Sequence, residues 1–203
     1  VSIGTIRKAI GVLEKEGILI RKQGLGTFVF QHDNNSFLFE YFHFALNGSE
    51  EKKAPNVELI SFTTKKANKT ESKALKIPEG SNVYHIYNKL GLNKKFYIVD
   101  KIVISHAKFP SLSEEMFRNR TNTIYNLYQN KFNIFITNCS EKIKAISSNE
   151  RISNLLNIEL NSPILKIDRI GHTYHNEIIE LRTSYVHTSD IEYIQSQNSM
   201  FGE

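Results

Sequence analysis

The sequence has little of the residues that mark a disulfide-bonded, zinc-bound or membrane-spanning protein. Its 203 residues include one cysteine, Cys139, and no tryptophan. A single cysteine excludes an intramolecular disulfide and argues against a zinc site built from cysteines. No apolar run approaches the roughly 20 residues needed to span a bilayer, and no signal peptide is recognisable. We therefore expect a protein of the reducing cytoplasm with no membrane partner.

What the chain does have is apolar residues for a core and an uneven distribution of charge. Hydrophobic residues make up 40% of the sequence, and 13 Phe and 9 Tyr are among them. The net charge is +5, and the first 30 residues hold five basic and two acidic side chains. This basic segment suits a polyanionic partner, although many basic globular proteins bind no nucleic acid. The seven histidines are scattered, so we expect no metal site and no cofactor.

Residues 1–30 are predicted to form one helix followed by a hairpin. Apolar residues recur at helical spacing at Ile6, Ile10 and Leu13. Ser2 can cap the start of this helix, and Gly17 can end it. Two short strands, 18–23 and 27–30, are expected to flank a glycine-containing tip.

The helix arc opposite the apolar stripe carries small and cationic residues. Small residues let a helix approach base edges closely, and arginine or lysine can contact bases or phosphates. The hairpin tip adds cations beside glycines, as a tip that lies along DNA would require. The plain alternative is a solvated amphipathic helix and hairpin. The candidate DNA-binding residues are Ser2, Gly4, Thr5, Arg7, Lys8, Lys22, Gly24 and Gly26.

From residue 56 onward the pattern predicts an α+β fold. Residues 31–55 are expected to be a linker whose aromatic middle docks on the domain that follows, 56–203. Consecutive hairpins without regular βαβ alternation favour an antiparallel sheet with helices packed on it. Strands are predicted at 57–66, 82–92, 96–105, 135–147, 163–174 and 178–187, and helices at 68–76, 112–118, 122–131 and 149–156.

Two stretches of the second domain resemble each other. Residues 73–80 and 154–163 each place the end of a helix before a turn with a proline, and a strand follows each of them. This suggests a weak internal repeat of a helix, a turn, a strand and a hairpin.

The N-terminal segments 1–10, 13–19 and 21–29 resemble the recognition helix and wing of the GntR family of transcription regulators. The resemblance implies that Thr5 and Arg7 face the major groove, and that Gly24 and Gly26 shape the wing. Ile3 departs from the pattern, because the family commonly has arginine there, and Gly4 stands where the family has Met or Thr. The family's earlier helices would lie before Val1, so the segment is the C-terminal part of a winged helix-turn-helix. We expect this chain alone to bind DNA poorly.

Residues 57–190 are similar to the UTRA effector-binding domain of the HutC-like branch of that family. The motifs that carry the resemblance are LKIPEG at 75–80, TIYNLY at 123–128, LLNIELNSPIL at 155–165 and ELRTS at 180–184. The family fold is an antiparallel sheet with helices, related to chorismate lyase. The resemblance, together with a nearby arginine, gives the candidate effector-binding residues Asn88, Asp100, Thr123, Tyr125, Glu180 and Arg182.

The resemblance also bears on the chemistry of the effector. Sugar-phosphate-sensing members have two arginines where this chain has Asn88 and Leu90, which argues against a phosphorylated sugar. Lys89 and Arg182 are candidates to hold an anion such as a carboxylate, and the hydroxyl of Thr123 lies where a helix start offers free amides.

Plain structural roles remain open for the same residues. Tyr125 can belong to the core. Asp100 can pair with Lys101 or with a cation on a facing strand. Glu180 and Arg182 can simply bridge across the sheet. We also expect Glu180→Ala to abolish effector binding while leaving the fold intact.

The favoured hypothesis is a homodimeric transcription regulator, a repressor, whose affinity for double-stranded operator DNA changes when a small molecule binds the second domain. Two alternatives remain: a chorismate-lyase-like enzyme, which would release pyruvate from chorismate, and a stand-alone ligand-binding or dimerisation module. The sequence shows no nucleophile with an adjacent base, so we expect no enzymatic activity.

Overall fold

The structure is a computed structural model, and it describes residues 1–15, 18–22, 24–29, 42–49, 53–120 and 123–194. The N-terminal part contains a helix and an antiparallel hairpin, as the sequence predicts. Its elements are α1 (Ile3–Lys15), β1 (Leu19–Lys22) and β2 (Gly26–Val29).

Ser2 caps α1 as predicted, because its hydroxyl accepts a hydrogen bond of 3.2 Å from the backbone N–H of Thr5. The predicted helix end at Gly17 lies outside the described residues. The apolar stripe of α1 is partly open to solvent, since Ile3 is 71% exposed and Ile6 is 49% exposed. Arg21 of β1 forms an ion pair with Glu14 of α1, with Nε 3.1 Å from Oε1, and so ties the hairpin to the helix.

The remaining described chain forms a six-stranded antiparallel sheet with helices on it, so the predicted α+β class is confirmed. The strand order across the sheet is β4-β5-β6-β9-β8-β7, with β4 and β7 at the edges. The elements are β3 (Phe44–Leu46), β4 (Asn56–Lys66), α2 (Lys69–Leu75), β5 (Asn82–Leu92), β6 (Lys95–Ser105), α3 (Glu114–Arg118), α4 (Ile124–Phe132), β7 (Asn138–Ser147), α5 (Glu150–Leu156), β8 (Pro163–His172), β9 (Ile178–Val186) and β10 (Ile191–Tyr193).

The six predicted strands and four predicted helices of this part are all present, with small shifts at their ends. The largest shift is at β7, which begins at Asn138 rather than at residue 135. Strands β3 and β10 are not predicted from the sequence; they pair with each other in a separate two-stranded sheet. Both are only three residues long, too short for an alternating pattern to show. The expectation that aromatic residues before the second domain dock on it is confirmed for Phe42 and Phe44, which are buried in its core.

The structure confirms the internal repeat, whose two units supply the six strands of the main sheet. Each half contributes a strand, a helix and a hairpin: β4-α2-β5-β6 and β7-α5-β8-β9. The two helices begin at equivalent asparagine caps, Asn68 and Asn149, whose side chains accept from backbone N–H groups three residues on. Both helices end at a residue in the left-handed backbone conformation, Lys76 in α2 and Asn157 in α5. The halves join where β6 pairs with β9 in the middle of the sheet.

The two faces of the sheet are covered differently. Helices α2 and α5 pack on one face, where Leu75 and Leu156 join strand residues such as Val103. The opposite face has two separate covers. Helices α3 and α4 cover one end of it, and the β3–β10 sheet covers the other end, with Phe44 in contact with the core there.

A single substitution tests how much the Asn149 cap of α5 stabilises the fold. Replacing Asn149 with alanine removes the acceptor of the Ile152 N–H, a hydrogen bond of 3.0 Å. We expect the free energy of unfolding to fall by about 1 kcal/mol, measured by urea denaturation followed by circular dichroism.

Asn154→Ala is the matched control, because Asn154 is exposed on the same helix and alanine is the better helix former. Equal stability of the two variants would contradict the capping role of Asn149.

Candidate functional site

A continuous band of polar side chains crosses the middle of the sheet, on the face that carries α4 and the β3–β10 sheet. Asn88, Asp100 and Ser184 lie directly opposite one another on β5, β6 and β9. Arg182, two positions before Ser184 on β9, lies opposite Arg169 of β8. Residues directly opposite each other, or two apart on one strand, share a face. We call this set the polar band: Asn88, Asp100, Glu141, Arg169, Glu180, Arg182 and Ser184.

Glu180 is the most enclosed member of the polar band, with a relative exposure of 0%. Its carboxylate accepts hydrogen bonds from the hydroxyls of Tyr125 and Tyr128, at 2.9 and 2.8 Å. It also accepts from Nε and Nη2 of Arg182, at 2.9 and 3.2 Å. The two tyrosines lie three residues apart and therefore on one side of α4. This network fixes α4 on the sheet.

The protonation states of the tyrosines follow from their burial. Burial, and then the negative charge of Glu180, raise the pKa values of Tyr125 and Tyr128 well above the ordinary value. Both phenols therefore keep their protons and act as donors. The positive charge of Arg182 lies over the ring of Tyr125, with the guanidinium carbon 5.2 Å from the ring centroid.

Asp100 is the second buried carboxyl group of the polar band, 2% exposed. Its Oδ1 accepts from the Ser184 hydroxyl at 2.6 Å, and its Oδ2 lies 3.3 Å from Nη1 of Arg182. Burial raises the pKa of Asp100, and the charge of Arg182 opposes this rise. Arg182 is therefore shared between two carboxyl groups, and Asp100 receives the longer of its contacts.

The polar band continues toward β7 and the small sheet. Nε of Arg169 donates to Oε1 of Glu141, at 2.5 Å. The hydroxyl of Tyr193, on β10, donates to the other oxygen of Glu141 at 3.2 Å. A chain of hydrogen bonds thus links β8 and β7 to the β3–β10 sheet.

Asn88 has an unmet hydrogen-bonding requirement. Its side chain is 3% exposed, and its Oδ1 is buried without a hydrogen-bond partner among the described residues. Buried polar atoms are nearly always paired, because an unpaired one forfeits its solvation. An acceptor in this position suits a donor supplied by a bound molecule.

The structure brings five of the six predicted effector residues together in or against the polar band: Asn88, Asp100, Tyr125, Glu180 and Arg182. Thr123 lies at the start of α4, where its hydroxyl accepts the Asn126 N–H at 3.1 Å. It acts as a helix cap there. Whether any of the six contacts an effector stays a prediction.

Several structural roles left open by the sequence are also present. Asp100 pairs with Arg182 on the facing strand and not with Lys101, which binds Glu71 at 3.1 Å on the other side of the sheet. Lys89 is likewise not placed to join Arg182 in holding an anion, since it pairs with Glu58 at 2.9 Å. Its strand neighbour Asn88 points to the opposite face.

Three residues of this site are not predicted from the sequence: Tyr128, Arg169 and Glu141. Tyr128 had a usable signal, because it stands one helical turn after Tyr125. Arg169 and Glu141 had none, because only the register of β7, β8 and β9 brings them beside Arg182.

The candidate DNA-binding residues occupy α1 and the hairpin. Gly4, Thr5, Arg7 and Lys8 are exposed on α1, and the Thr5 hydroxyl contacts that of Ser2 at 2.9 Å. Gly24 and Gly26 have φ values of +75° and +112°, which favour glycine. The side chain of Lys22 lies outside the described residues. A DNA contact by any of these residues stays a prediction.

Two kinds of feature are absent from the described part of the chain. No helix there is long and apolar enough to cross a membrane. No group of three or more His, Cys, Asp or Glu side chains there is placed to hold a metal ion.

Comparisons with known proteins agree with the geometry. The family model of the UTRA domain matches residues 50–192. A protein of Escherichia coli K12 named "Probable fructoselysine utilization operon transcriptional repressor" is 28% identical over 177 residues, which are 87% of this chain and 72% of that protein.

Two solved structures share the fold. One is the ligand-binding domain of a "putative GntR-family transcriptional regulator" from Bordetella bronchiseptica, with a TM-score of 0.75 and 23% identity, over 78% of this chain and 98% of that one. The other is PhnF from Mycobacterium smegmatis, with a TM-score of 0.64 and 15% identity, over 98% of this chain and 86% of that one.

The burial of Glu180 changes what its removal should do. Contrary to the expectation from sequence, the structure indicates that replacement of Glu180 damages the fold. Both carboxylate oxygens accept hydrogen bonds from the two tyrosines and Arg182, and glutamine keeps only one acceptor oxygen and no charge. Glu180→Gln should lower the free energy of unfolding by about 3 kcal/mol, measured by urea denaturation.

Glu177→Gln is the control, because Glu177 is an exposed carboxylate near the start of the same strand. It should cost less than about 1 kcal/mol. A Glu180→Gln protein as stable as this control would contradict the network described for Glu180.

Proposed function

Because the chain belongs to the UTRA domain family, we propose that it is part of an effector-responsive transcription regulator of the GntR family, and that it acts as a repressor. The observation that carries this proposal is the polar band, whose acceptor Asn88 is buried and unpartnered among the described residues. The names of the relatives support a regulatory role.

The DNA-contacting part of the proposal rests on α1 and the hairpin. Arg7 and Lys8 are exposed on one helix, beside the small residue Gly4. Such a face can enter a major groove, with the cations on bases or phosphates. The glycine-shaped hairpin would follow the adjacent backbone. In this proposal residues 1–30 contact DNA, residues 31–55 connect, and residues 56–203 bind the effector.

The effector would act by altering the hydrogen bonds of the polar band. Glu141 is shared between Arg169 and Tyr193 of β10, and β10 pairs with β3. Because β3 lies within the connecting segment, a shift of the β3–β10 sheet would reach the DNA-contacting part. In a homodimer such a shift would change the spacing of two DNA-reading units over a palindromic operator. The effector must distinguish the two arrangements to change affinity.

The cysteine beside the polar band, Cys139, gives no support to an enzymatic role. The thiol of Cys139 lies 3.9 Å from the Tyr125 hydroxyl, and burial raises the pKa of this cysteine to about 12. A thiol with that pKa stays protonated near neutral pH and is a poor nucleophile.

Substitution on α1 tests the DNA-contacting part. We expect Arg7→Ala to weaken binding to a duplex selected from a random pool by about tenfold, because one base or phosphate contact is lost. The measurement is fluorescence anisotropy at a fixed low salt concentration.

Arg118→Ala is the matched control, since Arg118 is an exposed arginine of α3 whose partner is Glu114. It should bind DNA like the unaltered protein. Equal affinities of the Arg7→Ala and Arg118→Ala proteins would contradict the placement of α1 on DNA.

A further inference from the structure

Two polar groups near the Glu180 network have hydrogen-bonding capacity that the described residues leave unused. One is the acceptor Oδ1 of Asn88, described above. The other is the guanidinium of Arg120, which is half-buried just before α4. They have opposite requirements, because Asn88 offers an acceptor and Arg120 offers donors and a positive charge.

We call the surroundings of Asn88 the acceptor end and those of Arg120 the donor end of a candidate ligand site. The acceptor end contains Asn88 and Asp100, which lie directly opposite each other on β5 and β6. Asp100 is 2% exposed, and its contact with Arg182 is 3.3 Å long. Arg182 is closer to Glu180, with Nε at 2.9 Å. The polar band as a whole holds three carboxyl groups, on Asp100, Glu141 and Glu180, against the two guanidinium groups of Arg169 and Arg182. This end therefore suits a cationic donor.

The donor end contains Arg120. Its Nη1 donates to the backbone carbonyl of Phe117, and its guanidinium carbon lies 4.2 Å from the centroid of the Phe117 ring. Among the described residues no carboxylate pairs with it. Burial, reinforced by the positive charge of Arg182, lowers the pKa of Arg120 to about 10. An arginine so placed favours an anion held by its planar fork of donors.

The internal repeat relates the acceptor end to a cationic pair of the polar band. Asn88 and Asp100 form a directly opposed pair in the first half, and Arg169 and Arg182 form the equivalent pair in the second half. Each first member follows its helix cap, Asn68 or Asn149, by the same distance in sequence. These equivalent positions thus hold acceptors in the first half and cations in the second half, whereas Arg120 lies between the two halves.

We propose that the effector is a zwitterionic metabolite, with an amine held by Asn88 and Asp100 and a carboxylate or phosphate held by Arg120. This inference rests on the proposed function, because it requires that the polar band bind a small molecule.

The test uses the thermal stability of the full chain in the presence of a small-molecule extract of the source cells. Portions of the extract are treated with acetic anhydride, which converts amines to neutral amides, with carbodiimide and methylamine, which amidates carboxylates, or with phosphatase. We expect the mock-treated extract to raise the melting temperature, and acetylation to abolish the rise. Amidation or phosphatase should also abolish it, and which of them does so identifies the anionic group.

The outcomes separate the inference from the proposed function. A rise that survives acetylation would overturn the amine, and a rise that survives both of the other treatments would overturn the anionic group. In either case effector sensing would stand. The absence of any rise with mock-treated extract would contradict the proposed function itself, and the inference would fall with it.

Variants test the two ends without knowledge of the ligand. Asn88→Leu removes the unpaired acceptor at similar volume, so the melting temperature of the ligand-free protein should rise by about 3 °C, and the extract should no longer stabilise it. Lys89→Gln, at the next residue but on the other face, should respond to the extract like the unaltered protein. A fall in the melting temperature of ligand-free Asn88→Leu would overturn the acceptor site.

Arg120→Gln should likewise lose the response to the extract, whereas Arg118→Gln, an exposed arginine on α3, should keep it. A full response of the Arg120→Gln protein would overturn the role given to Arg120.

Discussion

The burial of the Glu180 carboxylate is the constraint on which this face of the sheet depends. A buried carboxylate without partners would cost several kcal/mol. Here two tyrosines of α4 and the guanidinium of Arg182 supply its hydrogen bonds. The same contacts hold α4 on the sheet and fix the position of Arg182. Because Arg182 is committed to Glu180, it reaches Asp100 only at 3.3 Å, and the acceptor end of the polar band is left short of positive charge.

The position of this network follows from the way the chain repeats itself. Two strand-helix-hairpin units meet where β6 pairs with β9, and the polar band crosses that junction. Residues that are equivalent in the two units have diverged in chemistry, with Asn88 and Asp100 in one and Arg169 and Arg182 in the other. The polar band formed from two such halves is therefore asymmetric in charge.

Much of the fold could be predicted from the sequence, because its long strands and capped helices have strong local signals. The pattern around Asn149 and the turn that follows α5 is an example. The short strands β3 and β10 could not be predicted, because three residues show no periodicity. Phe42 and Phe44 were recognisable as a cluster that docks, but not as part of the apolar cover at one end of this face.

The site could be predicted only where a family motif or a helix spacing marked it. Glu180 and Tyr125 stand in such motifs. Arg169 and Glu141 come into the site through strand register, which pairs residues far apart in sequence. Lys89 was expected to help Arg182 hold an anion. Successive side chains of a strand point to opposite faces of the sheet, so Lys89 faces away from Arg182. Arg120 lies before α4 with no pattern to mark it.

We propose that binding of a small molecule in the polar band changes the affinity of the same protein for DNA. The most direct measurement is the apparent Kd for a selected duplex, by fluorescence anisotropy, with and without the small-molecule extract that stabilises the protein. We expect Kd to change by about fivefold or more, the lower range of coupling between two sites in one protein. An extract that raises the melting temperature yet leaves the Kd for DNA unchanged would contradict it.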